Sequence, residues 1–173
     1  MADQLQHAID RFRSGDTAAF NEIVRAHQRE IYNLAYRLTG NAEEAKDLTQ
    51  DVFLRAYRAL PGFRGDSAIK TWLYRIAINQ GNSWRRKLFR QPLPLEDAEQ
   101  LPAHQNEDPG LALAVKQAVA RLPYKQRSVF VMHQYQGLKH EEIARITDRT
   151  VGSVKANYFH AVEKLRHQLK GYL

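Results

Sequence analysis

The stretch Gly137-Leu-Lys-His-Glu-Glu-Ile-Ala-Arg-Ile-Thr-Asp-Arg-Thr-Val-Gly-Ser-Val-Lys-Ala-Asn-Tyr-Phe-His-Ala161 predicts two helices joined by a tight turn. Ile143 and Ile146 fall on the inner face of the first helix, and Ala144 is small enough for the second to pass close by. Thr147 to Arg149 form the turn. Thr150 is placed to cap the second helix, whose buried stripe is Val151, Val154, Tyr158, Val162 (or Ala161), Leu165 and Leu169. That leaves Ser153, Lys155, Asn157 and His160 outward, with Arg149 and Thr150 at the N-terminal end. Donors at the start of a helix that fits the major groove suit both phosphate binding and base-edge readout. An ordinary helical hairpin has the same outline, so the charge decides. Residues 111–173 carry 11 Lys and Arg against 4 Asp and Glu, and Glu163 is the only acid of the long final helix.

The charge changes sign upstream of this motif. The 173 residues carry 26 Lys and Arg, 19 Asp and Glu, a net of +7 and no cysteine. Residues 88–110 hold four of the six prolines, five acids (Glu96, Asp97, Glu99, Glu107 and Asp108) and one base, Arg90. Their proline density forbids a continuous helix and favours extended backbone. Residues 1–87 carry 14 bases and 10 acids. The net charges are therefore +4, −4 and +7 along the chain. Two basic segments flank an acidic, extended linker, and a solvated tether is its simplest reading. Such a basic excess suggests a polyanionic partner.

The flanking segments are helical in pattern. From Thr17 to Leu38 the apolar positions Phe20, Ile23, Val24, Ile31, Leu34, Ala35 and Leu38 share one face. Gly40-Asn41 punctuates, and a second pattern follows through Ala42, Ala45, Leu48, Val52, Phe53 and Ala56. Leu60 to Ser67 form a loop, with Asp66 or Ser67 as the natural N-cap of a helix beginning near Ala68 and packing through Ile69, Trp72, Leu73, Ile76 and Ala77. Leu111–Leu122 and Pro123–Tyr135 are expected helices, Pro123 suiting a first-turn position. No strand alternation persists. The expected fold is all-α: two small helical bundles, 1–87 and 111–173, joined by the linker 88–110.

Two features of the first bundle suggest contacts. Asp47, Gln50, Asp51 and Leu54 lie along one helical side, as a solvated face, a metal pair or a docking surface for a basic partner. No histidine or further carboxylate completes a helical metal site nearby. From Tyr57 to Arg90, aromatics alternate with bases: Tyr57, Arg58, Phe63, Arg64, Lys70, Trp72, Tyr74, Arg75, Trp84, Arg85, Arg86 and Lys87. Aromatic faces stack on unpaired bases while cations follow phosphates. Trp72, at core spacing, is expected to be partly buried, so Phe63 and Tyr74 are the better stacking candidates.

In this order the pieces resemble an extracytoplasmic-function (ECF) sigma factor, a promoter-recognition subunit of bacterial RNA polymerase. The resemblance runs from about Phe20 to Leu169. It rests on Asp47-x-x-Gln-Asp-Val-Phe53, on Phe63-Arg-Gly-Asp-Ser-Ala-x-x-Thr-Trp-Leu-Tyr-Arg-Ile-Ala-x-Asn79, on Leu122-Pro, and on Gly137-Leu-x-x-Glu-Glu-Ile-Ala with Val151-Gly-Ser-Val-Lys155. It implies that Asp47, Gln50, Asp51, Phe53 and Leu54 dock on the clamp helices of the polymerase's largest subunit, within a core of beta and beta-prime subunits. It implies minus-ten contacts by Arg58, Phe63, Arg64, Ser67, Lys70, Tyr74, Arg75 and Asn79, with Phe63, Ser67 and Asn79 around an extruded base. It implies minus-thirty-five contacts by Arg149, Thr150, Ser153, Lys155, Asn157, Phe159 and His160. The family pattern often has Arg where this chain has Lys155, Asn157 and His160, which leaves the base preference open. The linker is implied to enter the polymerase cleft, and an anti-sigma protein to cover both surfaces until a signal arrives. The expected location is cytoplasmic, on the nucleoid in the holoenzyme, or near the membrane where the inhibitor is anchored there.

Two other readings compete. A two-domain regulator with the same helix-turn-helix would bind duplex DNA without polymerase. A helical metalloenzyme would need a second ligand where His140-Glu141-Glu142-Ile143-Ala144 has Ala144. With no thiol, no Gly-rich phosphate loop and no Ser/His/Asp arrangement, a non-catalytic subunit without cofactor is the expectation. No apolar run approaches the roughly 18–20 residues that span a bilayer, and the N-terminus carries no secretory pattern.

Overall fold

The computed structural model describes residues 2–88 and 109–172, with side chains at 4–83 and 109–172. The acidic stretch bearing Glu96, Asp97 and Glu99 lies outside the described residues, as do the side chains of Trp84, Arg85, Arg86 and Lys87. Every regular element described is helical: α1 (Ala2–Arg13), α2 (Phe20–Thr39), α3 (Ala42–Ala59), α4 (Ile69–Leu88), α5 (Pro109–Arg121), α6 (Tyr124–Gln134), α7 (His140–Thr147) and α8 (Val151–Gln168). The all-α expectation holds.

Helix α1 is the element that the expected pattern, starting at Thr17, omits. Leu5, Ala8, Ile9 and Phe12 recur at helical spacing, and the last three are buried. Phe12 meets Tyr57 of α3 edge-on, with ring centroids 5.1 Å apart. Between α2 and α3 the turn is local chemistry. Gly40 takes φ 80°, a left-handed conformation that costs glycine little, and its N–H returns to the Tyr36 carbonyl. The Asn41 side chain then accepts from the Glu44 N–H at 3.0 Å and caps α3. At α4 the cap differs from expectation. The Ala68 carbonyl accepts the first helical bond, from the Trp72 N–H, so Ala68 holds the cap position and Asp66 and Ser67 are exposed in the preceding loop. Helix α5 starts at Pro109, inside the stretch assigned to the linker. Pro123 sits at the cap of α6 rather than in its first turn.

Helices α2, α3 and α4 pack together with α1 across one end, while α6, α7 and α8 form the second bundle with α5 against α8. The two bundles also pack on each other, through α2 with α5 and α6 and through α4 with α7. Tyr124 Oη donates to the Ile78 carbonyl of α4 at 2.7 Å. This approach is possible because residue 81 is glycine: a Cβ there would overlap the Tyr124 hydroxyl and lie 3.3 Å from its Cζ. Arg127 of α6 donates to the Leu38 carbonyl of α2 at 2.5 Å and to the Ala120 and Leu122 carbonyls at the end of α5. One guanidinium thus serves the carbonyl ends of two helices from different bundles, where positive charge also meets the negative ends of both helix dipoles.

Candidate polymerase and promoter interfaces

On α3, the residues expected to dock on a partner separate into two sets. Asp47 and Gln50 are exposed, Asp51 is half-buried and Leu54 is 48% exposed. Asp51, Leu54, Arg55, Arg58 and Ala59 line a shallow groove. An exposed leucine between an acid and two arginines offers apolar area with charges of both signs at its rim, a composition suited to a protein surface. Phe53 belongs to the other set. It is buried with its ring 6.5 Å from Phe20 of α2, edge to face, so its expected place on the docking surface is corrected. Position 53 falls at the edge of the buried arc formed by Ala45, Leu48, Val52 and Ala56, about 100° around the helix from Leu54.

The basic-aromatic stretch divides in the same way. Arg58, Arg64, Ser67, Arg75 and Asn79 are exposed. Phe63 is buried against Trp72, ring centroids 5.1 Å apart, and Trp72 is half-buried as expected. Tyr74 is fully buried, and its hydroxyl donates to Gln136 Oε1 at 2.7 Å. Burial pushes the Tyr74 phenol well above its ordinary pKa. Phe63 and Tyr74 therefore present no free faces for stacking, which corrects that expectation. Lys70 is tied to Glu30 of α2 at 2.7 Å, its ammonium 5.6 Å from the Tyr74 ring, so it is not a free phosphate ligand. Glu30 also faces His27 Nδ1 at 3.4 Å, and although burial pushes its carboxyl up, the bonds from Lys70 and then His27 hold it below the usual range. Arg75 reaches across to the second bundle, donating to the Arg145 carbonyl at 2.7 Å. Asn82 and Ser83, which the sequence reading does not single out, are exposed. With Arg75 and Asn79 at spacings of three and four, they continue a polar ridge along α4.

In the second bundle the turn and the Thr150 cap form as expected, while Ser153 and Asn157, expected outward, are half-buried. Asp148 takes φ 53° in the turn, and Thr150 Oγ1 accepts from the Ser153 N–H at 3.2 Å. Ile143, Ile146, Val154, Ala161 and Leu165 are buried. Arg149, Thr150, Lys155, Phe159 and His160 are exposed. Asn157 is half-buried and its amide donates to the Ser153 carbonyl at 2.8 Å, so it braces the helix that bears it. The first turns of α8 contain no acid, and Glu163 farther along pairs with Arg166 at 2.5 Å.

Comparison with known proteins gives the same two units in the same order. The family model for Sigma-70 region 2 matches residues 23–91, and that for Sigma-70 region 4 matches residues 112–165. The RNA polymerase sigma-H factor of Pseudomonas aeruginosa is 35% identical over 99% of this chain and 96% of its own length. The ECF RNA polymerase sigma-E factor of Escherichia coli K12 is 34% identical over 98% of this chain and 97% of its own. The chain belongs to the ECF sigma factors. Two solved folds agree with this sigma factor at 24% identity. The sigma factor RpoE of Bartonella quintana, solved with the anti-sigma factor NepR, has a TM-score of 0.75 over 87% of this chain and 96% of its own. CnrH, solved with the cytosolic domain of CnrY, has a TM-score of 0.72 over 99% of both chains. An ECF sigma factor is a non-catalytic specificity subunit acting in transcription initiation. Among the described residues of this one, no helix is long and apolar enough to cross a membrane.

Proposed function

We propose that this ECF sigma factor docks on the polymerase core through α3, meets the minus-ten element with the exposed polar residues around α4, and reads the minus-thirty-five duplex with α8. The observation that carries the division is the chemistry of the exposed faces. On α3, acids and amide surround an exposed leucine; at the start of α8, a capped helix end is free of acids and lies beside Arg149 and Lys155. Asp47, Gln50, Asp51 and Leu54 meet the clamp helices of beta-prime. Arg58, Arg64, Ser67, Arg75 and Asn79 serve the opened minus-ten strand, where unstacking costs a few kcal/mol that contacts to the released base offset. Arg149, Thr150, Ser153, Lys155 and His160 serve the duplex. The functional units are 1–87 and 111–173, and the acidic 88–110 strap occupies the basic cleft of the polymerase until nucleic acid displaces it. An anti-sigma protein covers these surfaces in the resting cell, holding the factor in the cytoplasm or at the membrane.

Leu54→Glu tests the docking surface. It should weaken association with core polymerase at least tenfold in a binding titration while leaving thermal unfolding unchanged; equal affinity would remove α3 from the interface. Lys155→Ala separates phosphate from base contact. Loss shared by all promoter sequences, with a salt slope reduced by about one, marks a phosphate ligand. Loss at one base position marks readout. Neutralising Glu96, Asp97 and Glu99 together should alter initiation or promoter escape in run-off transcription, and unchanged rates would reduce the strap to a tether.

A further inference from the structure

Gln80 of α4 is 5% exposed, and with His27 and Ser128 it makes up the buried polar residues among those described, tyrosines aside. Its amide meets the guanidinium of Arg55 on α3, a residue that is itself exposed. A guanidinium carries donors only, so the end of the amide that faces it is the oxygen. Gln80 Oε1 accepts from Arg55 Nη2 at 2.9 Å and from Arg55 Nε, and Nη1 lies 3.2 Å away. A buried acceptor on one helix is thus satisfied by an exposed cation on the next.

The place of this contact gives it a use. Arg55 lines the shallow groove of α3 together with Asp51, Leu54, Arg58 and Ala59. Arg55 and Arg58 stand three positions apart, so their charges share one side of the helix and repel. Left to α3 alone, two long cations at this spacing would spread into solvent over many rotamers. The Gln80 oxygen, fixed on a neighbouring helix, draws one of them back to the groove. A neutral acceptor suits the task, because it orients the guanidinium without cancelling its charge. One oxygen cannot saturate five N–H donors, so the fork keeps donors for a partner. We propose that Gln80 is a positioning residue for polymerase docking: it presents Arg55 beside Leu54 to a carboxylate on the clamp helices. The proposal rests on α3 being the docking element, as stated above. A cation already in place spares the complex the ordering of a long side chain, a gain of about twofold to tenfold in affinity.

The test titrates the full chain with core polymerase at several salt concentrations and follows thermal unfolding alongside. Gln80→Met keeps the length and removes the acceptor. It should weaken association about twofold to tenfold, and the loss should vanish in an Arg55→Ala background. Losses that simply add in the double variant would overturn the proposal, as would an Arg55→Ala chain that binds core as tightly as the wild type. Gln80→Glu separates positioning from bracing. It should hold Arg55 at least as firmly, so unfolding stays level or moves up in temperature. Core association should nevertheless weaken and its salt dependence flatten, because the charge offered to the partner is cancelled. Unchanged affinity and salt slope for Gln80→Glu would mean that no carboxylate meets Arg55, and the proposal falls. Should Gln80→Met unfold the bundle, Gln80→Glu and Arg55→Ala decide the matter by themselves. Leu54→Glu reports on the underlying reading. If it weakens association while the Gln80 variants do not, only the positioning role is lost; if it has no effect either, α3 is not the docking element.

Discussion

Arg127 illustrates how much one side chain can hold. Its guanidinium bonds to Leu38, Ala120 and Leu122 carbonyls that their own helices leave unsatisfied. Hydrogen bonds to a charged donor are each worth about 1.5–3 kcal/mol, and carbonyls stripped of a partner retain a desolvation cost. Arg127→Ala should therefore lower unfolding stability by roughly 3 kcal/mol in a denaturant titration. Arg127→Lys should recover only part, because an ammonium cannot reproduce the planar fork. A smaller effect belongs to Thr150→Ala, which removes the cap of α8 and should cost about 1 kcal/mol. The Thr150 cap was legible in the sequence because donor and acceptor stand three residues apart. The role of Arg127 was not, since its acceptors come from residues 38, 120 and 122 and only the folded chain brings them together.

At the scale of elements, the helix-turn-helix was legible almost residue by residue, and for a physical reason: its turn, cap and buried stripe are all local. The exposure of α4 was not. Phe63 and Tyr74 look free in a basic-aromatic stretch, yet Trp72 and Gln136 cover them, and the second of these lies 62 positions away from Tyr74. The element-level seam between α6, α7 and α8 also carries a titratable pair. His133 and His140 stack with centroids 4.4 Å apart, with the Tyr158 ring edge-on to both. His133 Nδ1 donates to the Leu138 carbonyl at 2.8 Å, whereas the buried His140 Nε2 has no partner. Burial, then His133 and more distantly Lys155, depress the His140 pKa, with Glu141 opposing. The unfolded chain thus binds a proton first, near pH 6.5. Stability contributed by neutral His140 is present above that pH and is lost as pH falls toward the depressed folded value. Between pH 7.5 and 5.5 the melting temperature should fall more for the wild type than for His140→Leu, and parallel curves would dismiss the pair as a source of acid sensitivity.

For the whole molecule, the question is how two promoter elements can be held at once. The minus-ten and minus-thirty-five centres are about 25 base pairs apart, or about 85 Å at 3.4 Å per base pair. In this structure α4 and α7 touch, and Arg75 is bonded to Arg145. On the proposed division, with α4 at one element and α8 at the other, the bundles part before both elements are gripped. The twenty residues between 88 and 109 allow a separation of up to about 70 Å between their ends, and the bundles' own dimensions supply the remainder. Gly81→Ala should shift the chain toward the parted arrangement, because its methyl meets the rigid Tyr124 ring. Small-angle scattering would register a larger radius of gyration, and an unchanged value would show that the seam tolerates the methyl. Tyr124→Phe, which removes only the bond to Ile78, should act more weakly in the same direction.

The fit of Tyr124 over Gly81 also constrains how this chain can change by mutation. An alanine at 81 is harmful while a tyrosine stands at 124, and the tyrosine loses its seat once 81 acquires a side chain. Either change alone is penalised, yet the pair Gly81→Ala with Tyr124→Ala removes the collision from both sides. Its stability should therefore exceed the sum of the two single effects by about 1 kcal/mol or more in a double-mutant cycle. A lineage leaving this arrangement would have to cross a less closed intermediate, so the tightness of the seam sets which sequences are reachable from this one by single steps.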